Sequence, residues 1–164
     1  MSHTHHIDRP DGTRIAYSVS GDAQATPLVL SNSLATDARM WEKILPELQK
    51  KFRVITYDNR GHGQSVCTSA QITLSDLAAD LMAVMDAAGA PRALLAGVSL
   101  GGMTGMNLAL EHPERLLGLM ACNCRARINA EGIAGWDQRI EIGRATSELQ
   151  SRLHLVCRLL LEKK

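Results

Sequence analysis

Residues 93–110 read Ala-Leu-Leu-Ala-Gly-Val-Ser-Leu-Gly-Gly-Met-Thr-Gly-Met-Asn-Leu-Ala-Leu, and this stretch decides the fold. Its first four residues form a short apolar run, which is typical of a strand buried on both faces of a parallel sheet. From Met103 to Leu110 the apolar residues recur at helical spacing, and Pro113 ends that pattern. Between the predicted strand and helix lies Gly-x-Ser-x-Gly at 97–101, the pattern of a sharp turn that presents a serine.

Ser99, at the centre of this turn, is the candidate nucleophile. The turn would hold its hydroxyl above the sheet, beside the positive end of the following helix. The free backbone N–H of Leu100 would then point to the place where an oxyanion forms. A glycine-rich turn with an idle serine is the alternative interpretation. The strand before the motif and the helix after it favour the catalytic one.

Composition predicts one soluble domain. The chain has 164 residues, of which 45% are hydrophobic, with a mean hydropathy of -0.08. Lys and Arg number 18 against 17 Asp and Glu, so the charge indicates neither a nucleic-acid nor an anionic-membrane partner. The sequence shows no signal peptide or membrane span, and its four cysteines lack paired spacing. We therefore expect free thiols and a cytoplasmic protein, and the oligomeric state stays open.

Strands and helices alternate from residue 27 onward, which predicts an α/β fold with a mostly parallel sheet. Strands at 5–8 and 13–20, joined by the turn residues Arg-Pro-Asp-Gly, predict an N-terminal antiparallel hairpin. Further strands are expected at 27–30, 52–57, 93–96 and 116–121.

Two helices are expected ahead of the serine turn. The first would be kinked or broken at Pro46, and its inner face would carry Met40, Trp41, Ile44, Leu45 and Leu48. The second would begin with a capping box of Thr73 and Asp76 and end at Gly89. Its apolar face would consist of Leu74, Leu77, Ala78, Leu81, Val84 and Met85.

Two histidines invite a catalytic interpretation. His62 lies between two glycines in the loop 58–65, where a hydrogen-bonded role within the loop is the plainer account. His112 stands at the end of the predicted helix, too far along it to act as the base of Ser99. On this kind of turn the acid and the histidine follow the serine in the chain. Asp58 and Arg60 are expected to pair and fix the loop.

These motifs resemble those of the α/β-hydrolase superfamily, and within it the 3-oxoadipate enol-lactonases of bacterial aromatic-compound degradation, the β-ketoadipate pathway. The glycine-rich loop and the serine turn occur in much of the superfamily and carry only fold and chemistry. The sequence Ser-Asn-Ser-Leu at 31–34, where most relatives have a His-Gly pair, is the more discriminating element. The similar segments are 28–41, 57–65, 97–103, 112–116 and 136–140.

The resemblance implies an α/β-hydrolase fold and the hydrolysis of a small lactone or ester. Ser99 would attack the lactone carbonyl, and the oxyanion would lie against the backbone N–H groups of Leu34 and Leu100. Water would then release the open dicarboxylic keto acid. Asn32 and Trp136 would contact the substrate, and no metal or organic cofactor is required.

The chain also departs from the family. Its members continue past position 140 into a cap, further strands, and then the catalytic acid and histidine, all of which are absent here. Glu148 and His154 have the right order but lie in a tail that resembles nothing in the family. We therefore interpret residues 1–140 as a partial hydrolase domain that stops after the strand following the serine helix, and expect the fragment to be inactive.

Residues 141–164 read as a translated sequencing adapter, with a short amphipathic surface helix as the alternative. Two other functions stay open at this point. One is a different carboxylesterase or a haloperoxidase-like member of the superfamily. The other is a non-catalytic α/β module that binds a small ester or acid.

Overall fold

The computed structural model describes residues 3–69, 71–127 and 135. Its strands are β1 (Thr4–Asp8), β2 (Arg14–Ser20), β3 (Pro27–Ser31), β4 (Arg53–Tyr57), β5 (Ala93–Val98) and β6 (Leu116–Cys122). Its α-helices are α1 (Leu45–Leu48), α2 (Leu74–Ala87) and α3 (Leu100–Glu111), with 3₁₀ helices at Ala38–Trp41 and Pro113–Arg115.

The strands of this described part form one six-stranded sheet in the order β1-β2-β4-β3-β5-β6. β1 and β2 pair antiparallel as a hairpin, and β2 joins β4 antiparallel. β3 runs parallel to both β4 and β5, and β5 runs parallel to β6. The predicted fold class, a mostly parallel sheet with an N-terminal antiparallel hairpin, is confirmed. Because β4, β3, β5 and β6 run the same way, the loops that follow them meet at one edge of the sheet.

The apolar face of α2 closes the main core against the sheet. Thr73 and Asp76 form the predicted capping box, each side chain bonding the other residue's backbone N–H. Gly89 follows the helix with a φ of +65°, as a helix-ending glycine does. Five of the six predicted face residues are buried: Leu77, Ala78, Leu81, Val84 and Met85. Four of them, from Ala78 to Met85, pack with the buried strand residues Ile15, Val29, Ile55 and Leu95, whereas Leu77 packs with Ile72 and Leu100.

The segment 38–51, expected as a helix kinked or broken at Pro46, is broken ahead of that residue. It forms a 3₁₀ turn and then the four-residue helix α1, in which Pro46 occupies the first turn. Proline fits there because its missing N–H would have no partner in the first turn anyway. The predicted inner face is wrong at two positions, since Met40 and Ile44 are 37% and 47% exposed. Trp41 is buried as predicted.

Within the described residues, no helix is long and apolar enough to cross a membrane. Three of the four cysteines, Cys67, Cys122 and Cys124, fall in this part of the chain and are free thiols, as expected. Cys157 and the predicted tail lie outside the described residues.

Candidate functional site

Ser99 stands between the end of β5 and the first residue of α3 with an unusual backbone. Its φ of 53° and ψ of -111° lie in a region that residues with a side chain rarely adopt. Such a conformation costs about 1–3 kcal/mol and persists only where the surroundings hold it. Here its N–H donates to the Cys122 carbonyl at 2.8 Å, and its carbonyl accepts from Met103 N–H at 3.0 Å. β6 and α3 therefore hold the serine turn from both sides.

The glycines of the motif allow an approach that no side chain would permit. A Cβ on Gly97 would lie 2.4 Å from the Gly101 carbonyl carbon, and one on Gly101 would lie 2.1 Å from the Ser31 carbonyl oxygen. Ser31 is the last residue of β3, and it pairs with Gly97 across the parallel ladder. The first turn of α3 is thus seated directly on the start of the loop that follows β3.

This contact yields a stability prediction. We expect Gly101→Ala to lower the free energy of unfolding by about 1–3 kcal/mol, because backbone atoms on both sides must move apart. Gly118→Ala, on β6, is the matched control, since its Cβ would meet only the Leu94 Cδ2 atom at 3.2 Å. Urea unfolding of both variants measures the difference. An equal effect of the two substitutions would contradict the close-approach explanation.

The loop after β3 carries the second predicted oxyanion donor, the N–H of Leu34. Most of the neighbouring N–H groups have acceptors. The Ser33 N–H donates to Met40 Sδ (3.4 Å), and the Ala35 N–H donates to His62 Nε2 (3.2 Å). The Thr36 N–H donates to the Ser33 carbonyl (3.4 Å), and the Ala38 N–H donates to Asp58 Oδ1 (2.8 Å). Among the described residues, the Leu34 N–H has no such acceptor, and neither does that of Leu100. The Leu34 side chain packs on the cluster of Leu100, Ile72 and Leu77, so the two donor residues belong to one local group.

Asn32, a predicted substrate contact, is fully buried beneath this loop. Its Nδ2 donates to the Tyr57 carbonyl, and its Oδ1 accepts from Trp41 Nε1, both at 2.7 Å. These bonds tie the start of the loop to the end of β4 and to the 3₁₀ turn. A direct contact with substrate stays a prediction for Asn32, and Trp136 lies outside the described residues.

The loop 58–65 supports the loop after β3 from the other side. The Asp58 carboxylate accepts from the N–H groups of Ala38 and Gln64, each at 2.8 Å. The expected pair between Asp58 and Arg60 is wrong. Arg60 instead donates to Asp80 of α2 through Nε (2.6 Å) and Nη2 (2.8 Å).

Asp80 is the residue that sequence reasoning missed. It also accepts from Arg9 Nε at 3.0 Å, so α2 anchors both the N-terminal hairpin turn and the loop 58–65. Burial alone would lower the pKa of Arg60, but the hydrogen bonds and charge of Asp80 raise it above its ordinary value. The available signal was an aspartate between Leu77 and Leu81, among the apolar positions of an amphipathic helix.

Residues 26–138 match the family of the alpha/beta hydrolase fold. The chain belongs to this family. Of the curated relatives, 3-oxoadipate enol-lactonase 1 of Acinetobacter baylyi is 34% identical over 85% of this chain and 51% of its own length. A protein of Variovorax paradoxus that is named as a carbamate hydrolase is 35% identical over 77% of this chain and 48% of its own length.

Among solved structures, the enol-lactonase from Burkholderia xenovorans LB400 is similar with a TM-score of 0.78 and 29% identity. That match covers 95% of this chain and 73% of the enol-lactonase. The chain spans about half the length of the curated relatives it matches.

A serine that acts as a nucleophile needs a base beside it, and the two candidate histidines have other partners. His62 accepts from Ala35 N–H through Nε2, and its Nδ1 lies 3.1 Å from the Arg60 carbonyl. His112 ends α3, with Nδ1 at 3.4 Å from Glu114. Glu148 and His154 lie outside the described residues. Within the part of the chain that the structure describes, no group of three His, Cys, Asp or Glu side chains is placed to hold a metal ion.

Proposed function

We propose that this chain carries the nucleophile and the oxyanion hole of a serine hydrolase. Ser99 is the nucleophile, and the backbone N–H groups of Leu34 and Leu100 stabilise the negative charge that develops on the carbonyl oxygen. The observation that carries the proposal is the strained backbone of Ser99, seated at the edge of the sheet where both donor residues pack together. Strain of this kind is concentrated at functional sites.

The substrate we propose is a small lactone, 3-oxoadipate enol-lactone, handled in the cytoplasm in the degradation of aromatic compounds. The support is the similarity to proteins named as enol-lactonases, together with the Ser-Asn-Ser-Leu sequence at 31–34. Attack by the Ser99 oxygen forms an ester with the lactone carbonyl and breaks the ring C–O bond. The serine proton passes through the general base to the leaving enol, which tautomerises to the ketone. Water then cleaves that ester and frees the keto acid, so neither a metal nor an organic cofactor takes part. No nucleic acid or membrane is required as a partner.

Turnover also needs a general base, because a serine hydroxyl alone is a weak nucleophile at neutral pH. His62 and His112, as placed in the structure, are bound elsewhere. We therefore propose that the base and its acid come from sequence beyond residue 140 of the natural protein, and that the 164-residue chain alone is inactive.

A second candidate is the hydrolysis of another acyl compound, a carbamate. The observation that favours it is the 35% identity to the Variovorax paradoxus relative, which is as high as the identity to the enol-lactonases. Both reactions pass through an oxyanion, so the serine turn and the N–H donors of Leu34 and Leu100 would serve either one. The two candidates differ in the pocket that holds the leaving group.

The test compares three substrates on two proteins. The 164-residue chain and the product of the complete natural gene that encodes residues 1–140 are each incubated with 3-oxoadipate enol-lactone, a simple aryl ester and a carbamate. We expect the complete product to open the lactone with the highest kcat/KM and the short chain to turn over none of the three. Faster hydrolysis of the carbamate or the ester would overturn the lactone assignment. If the complete gene product binds the lactone stoichiometrically without turning it over, the proposal that it is an enzyme is overturned.

A further inference from the structure

His62 connects the two loops that meet beside the candidate site. It is 8% exposed, and its two ring nitrogens face different partners. Nδ1 lies 3.1 Å from the Arg60 carbonyl oxygen, and Nε2 lies 3.2 Å from the Ala35 backbone nitrogen. A carbonyl oxygen can only accept and an amide N–H can only donate, so the ring must carry its hydrogen on Nδ1 and leave Nε2 bare. This network assigns a neutral imidazole of one tautomer.

The N–H that His62 accepts belongs to the peptide unit directly after Leu34. Ala35 has a φ of 59°, a backbone that a residue with a side chain holds only under constraint. His62 supplies the acceptor at this turn, whereas the neighbouring Ser33 N–H meets only the thioether of Met40, a weak acceptor. Thr36 closes the turn by donating its N–H (3.4 Å) and its hydroxyl (2.8 Å) to the Ser33 carbonyl, and the imidazole is the acceptor of the Ala35 N–H at its centre.

We propose that His62 is a positioning residue, which holds the Leu34 N–H in its oxyanion-binding orientation only while its ring is neutral. Protonation places a hydrogen on Nε2, which then faces the Ala35 N–H as donor against donor. The turn at Leu34–Ala35 must then rearrange. This inference rests on the proposed function for its consequence, because a displaced Leu34 N–H matters only if it stabilises an oxyanion.

The charges around His62 come from both loops. Asp37 lies on the loop after β3. A hydrogen bond from Arg39 is the main cause that lowers the pKa of Asp37, and the charge of His62 is the smallest of the causes. Asp58, on the same loop as His62, directs its carboxylate to the Ala38 and Gln64 N–H groups. The Arg60 guanidinium points away to Asp80 and Asp11. The Asp37 carboxylate itself pairs with the Arg39 guanidinium.

The test is nuclear magnetic resonance of the ¹⁵N-labelled 164-residue chain. At pH 8 we expect the His62 ring to show hydrogen on Nδ1 and a bare Nε2. On lowering the pH, the amide signals of Ala35 and Leu34 should shift with the same midpoint as the His62 ring nitrogens. The Ala38 amide, held by Asp58, is the internal control and should not follow that midpoint. A ring with hydrogen on Nε2 at pH 8, or an Ala35 amide that ignores the His62 midpoint, would overturn the proposal.

Two variants distinguish a role of His62 as hydrogen-bond acceptor for the Ala35 N–H from a role in packing alone. His62→Leu removes the acceptor, and we expect hydrogen exchange at the Ala35 amide to accelerate about tenfold at constant pH. His62→Gln offers a carbonyl oxygen in place of Nε2 and should restore most of the protection. Exchange at Val29 in the core strand β3 reports the global stability of each variant. If the Ala35 amide exchanges at the same rate in wild type and in His62→Leu, with the Val29 rate unchanged, the positioning role of His62 is refuted.

These measurements do not use activity, so they stand apart from the proposed function. A protein that fails to hydrolyse any lactone can still show the coupling between His62 and Ala35. Conversely, an active lactonase in which Ala35 ignores His62 would refute the positioning role alone.

Discussion

Ser99→Ala should reduce kcat/KM for lactone opening by at least about 10³-fold in the complete gene product, because the covalent step loses its nucleophile. What remains would come from the oxyanion donors and from binding. The measurement is the steady-state rate with 3-oxoadipate enol-lactone. Ser75→Ala is the matched control, since the Ser75 hydroxyl on α2 donates to the exposed Glu111 side chain at the surface, and it should keep full activity. Retained turnover in Ser99→Ala would contradict the nucleophile assignment.

A second prediction at position 99 concerns the stability of the fold instead of its activity. Glycine tolerates a φ of 53° without the steric cost that any Cβ imposes, so Ser99→Gly relieves strain that Ser99→Ala keeps. We expect Ser99→Gly to be more stable than Ser99→Ala by about 1 kcal/mol, after the entropic cost of glycine is subtracted. Urea unfolding of the 164-residue chain gives this difference without any substrate. Equal stability would mean that the serine backbone stores no strain.

Elements with a local cause were predictable from the sequence. The capping box at Thr73 needs only residues 73–76, and the serine turn needs only the spacing of two glycines around Ser99. The sheet class follows from the alternation of short apolar runs with amphipathic stretches. The capping box and the serine turn are each encoded within a few neighbouring residues, so their sequence signal does not depend on knowing the tertiary structure.

A segment whose form depends on particular caps and loop contacts was not predictable from its periodicity. Met40 and Ile44 match a helical face in the sequence, yet both are exposed, because Asp37 caps a 3₁₀ turn and Pro46 starts a second helix. The Met40 sulfur instead accepts from Ser33 N–H and the Thr36 hydroxyl. That interaction exists only once the loop has folded back on the turn, and no periodicity encodes it.

The candidate site also has a part that the sequence predicts and a part that it does not. Ser99 and the two backbone donors follow from a motif and from a resemblance, and their roles stay predictions. The bonds that support the loop of Leu34, from the Ala35 N–H to His62 Nε2 and from the Ala38 N–H to Asp58 Oδ1, join the loops after two neighbouring strands. Their existence requires the strand order, which single-sequence patterns leave open.

Asp80→Asn is expected to cost about 3–5 kcal/mol of unfolding free energy, the usual effect of removing one partner from a buried ion pair. Asp80 and Arg60 are 1% and 4% exposed at their side chains, so water cannot replace the lost carboxylate. Arg9, which is 24% exposed, loses the same partner. Because small domains are stable by roughly 5–15 kcal/mol, this loss consumes a large part of the total.

Asp86→Asn is the matched control for this prediction, since it makes the same substitution on the same helix. Asp86 pairs with Arg115 while 62% exposed at its side chain, and such pairs contribute about 0–1 kcal/mol. Urea unfolding of both variants should therefore separate a large effect from a small one. Equal losses would show that the desolvation of Arg60 and Asp80 cancels their attraction. A large loss at Asp80 alone would identify α2 as the anchor of the loop 58–65. Because His62 and Asp58 of that loop accept from Ala35 and Ala38, α2 would then also support the loop that carries Leu34.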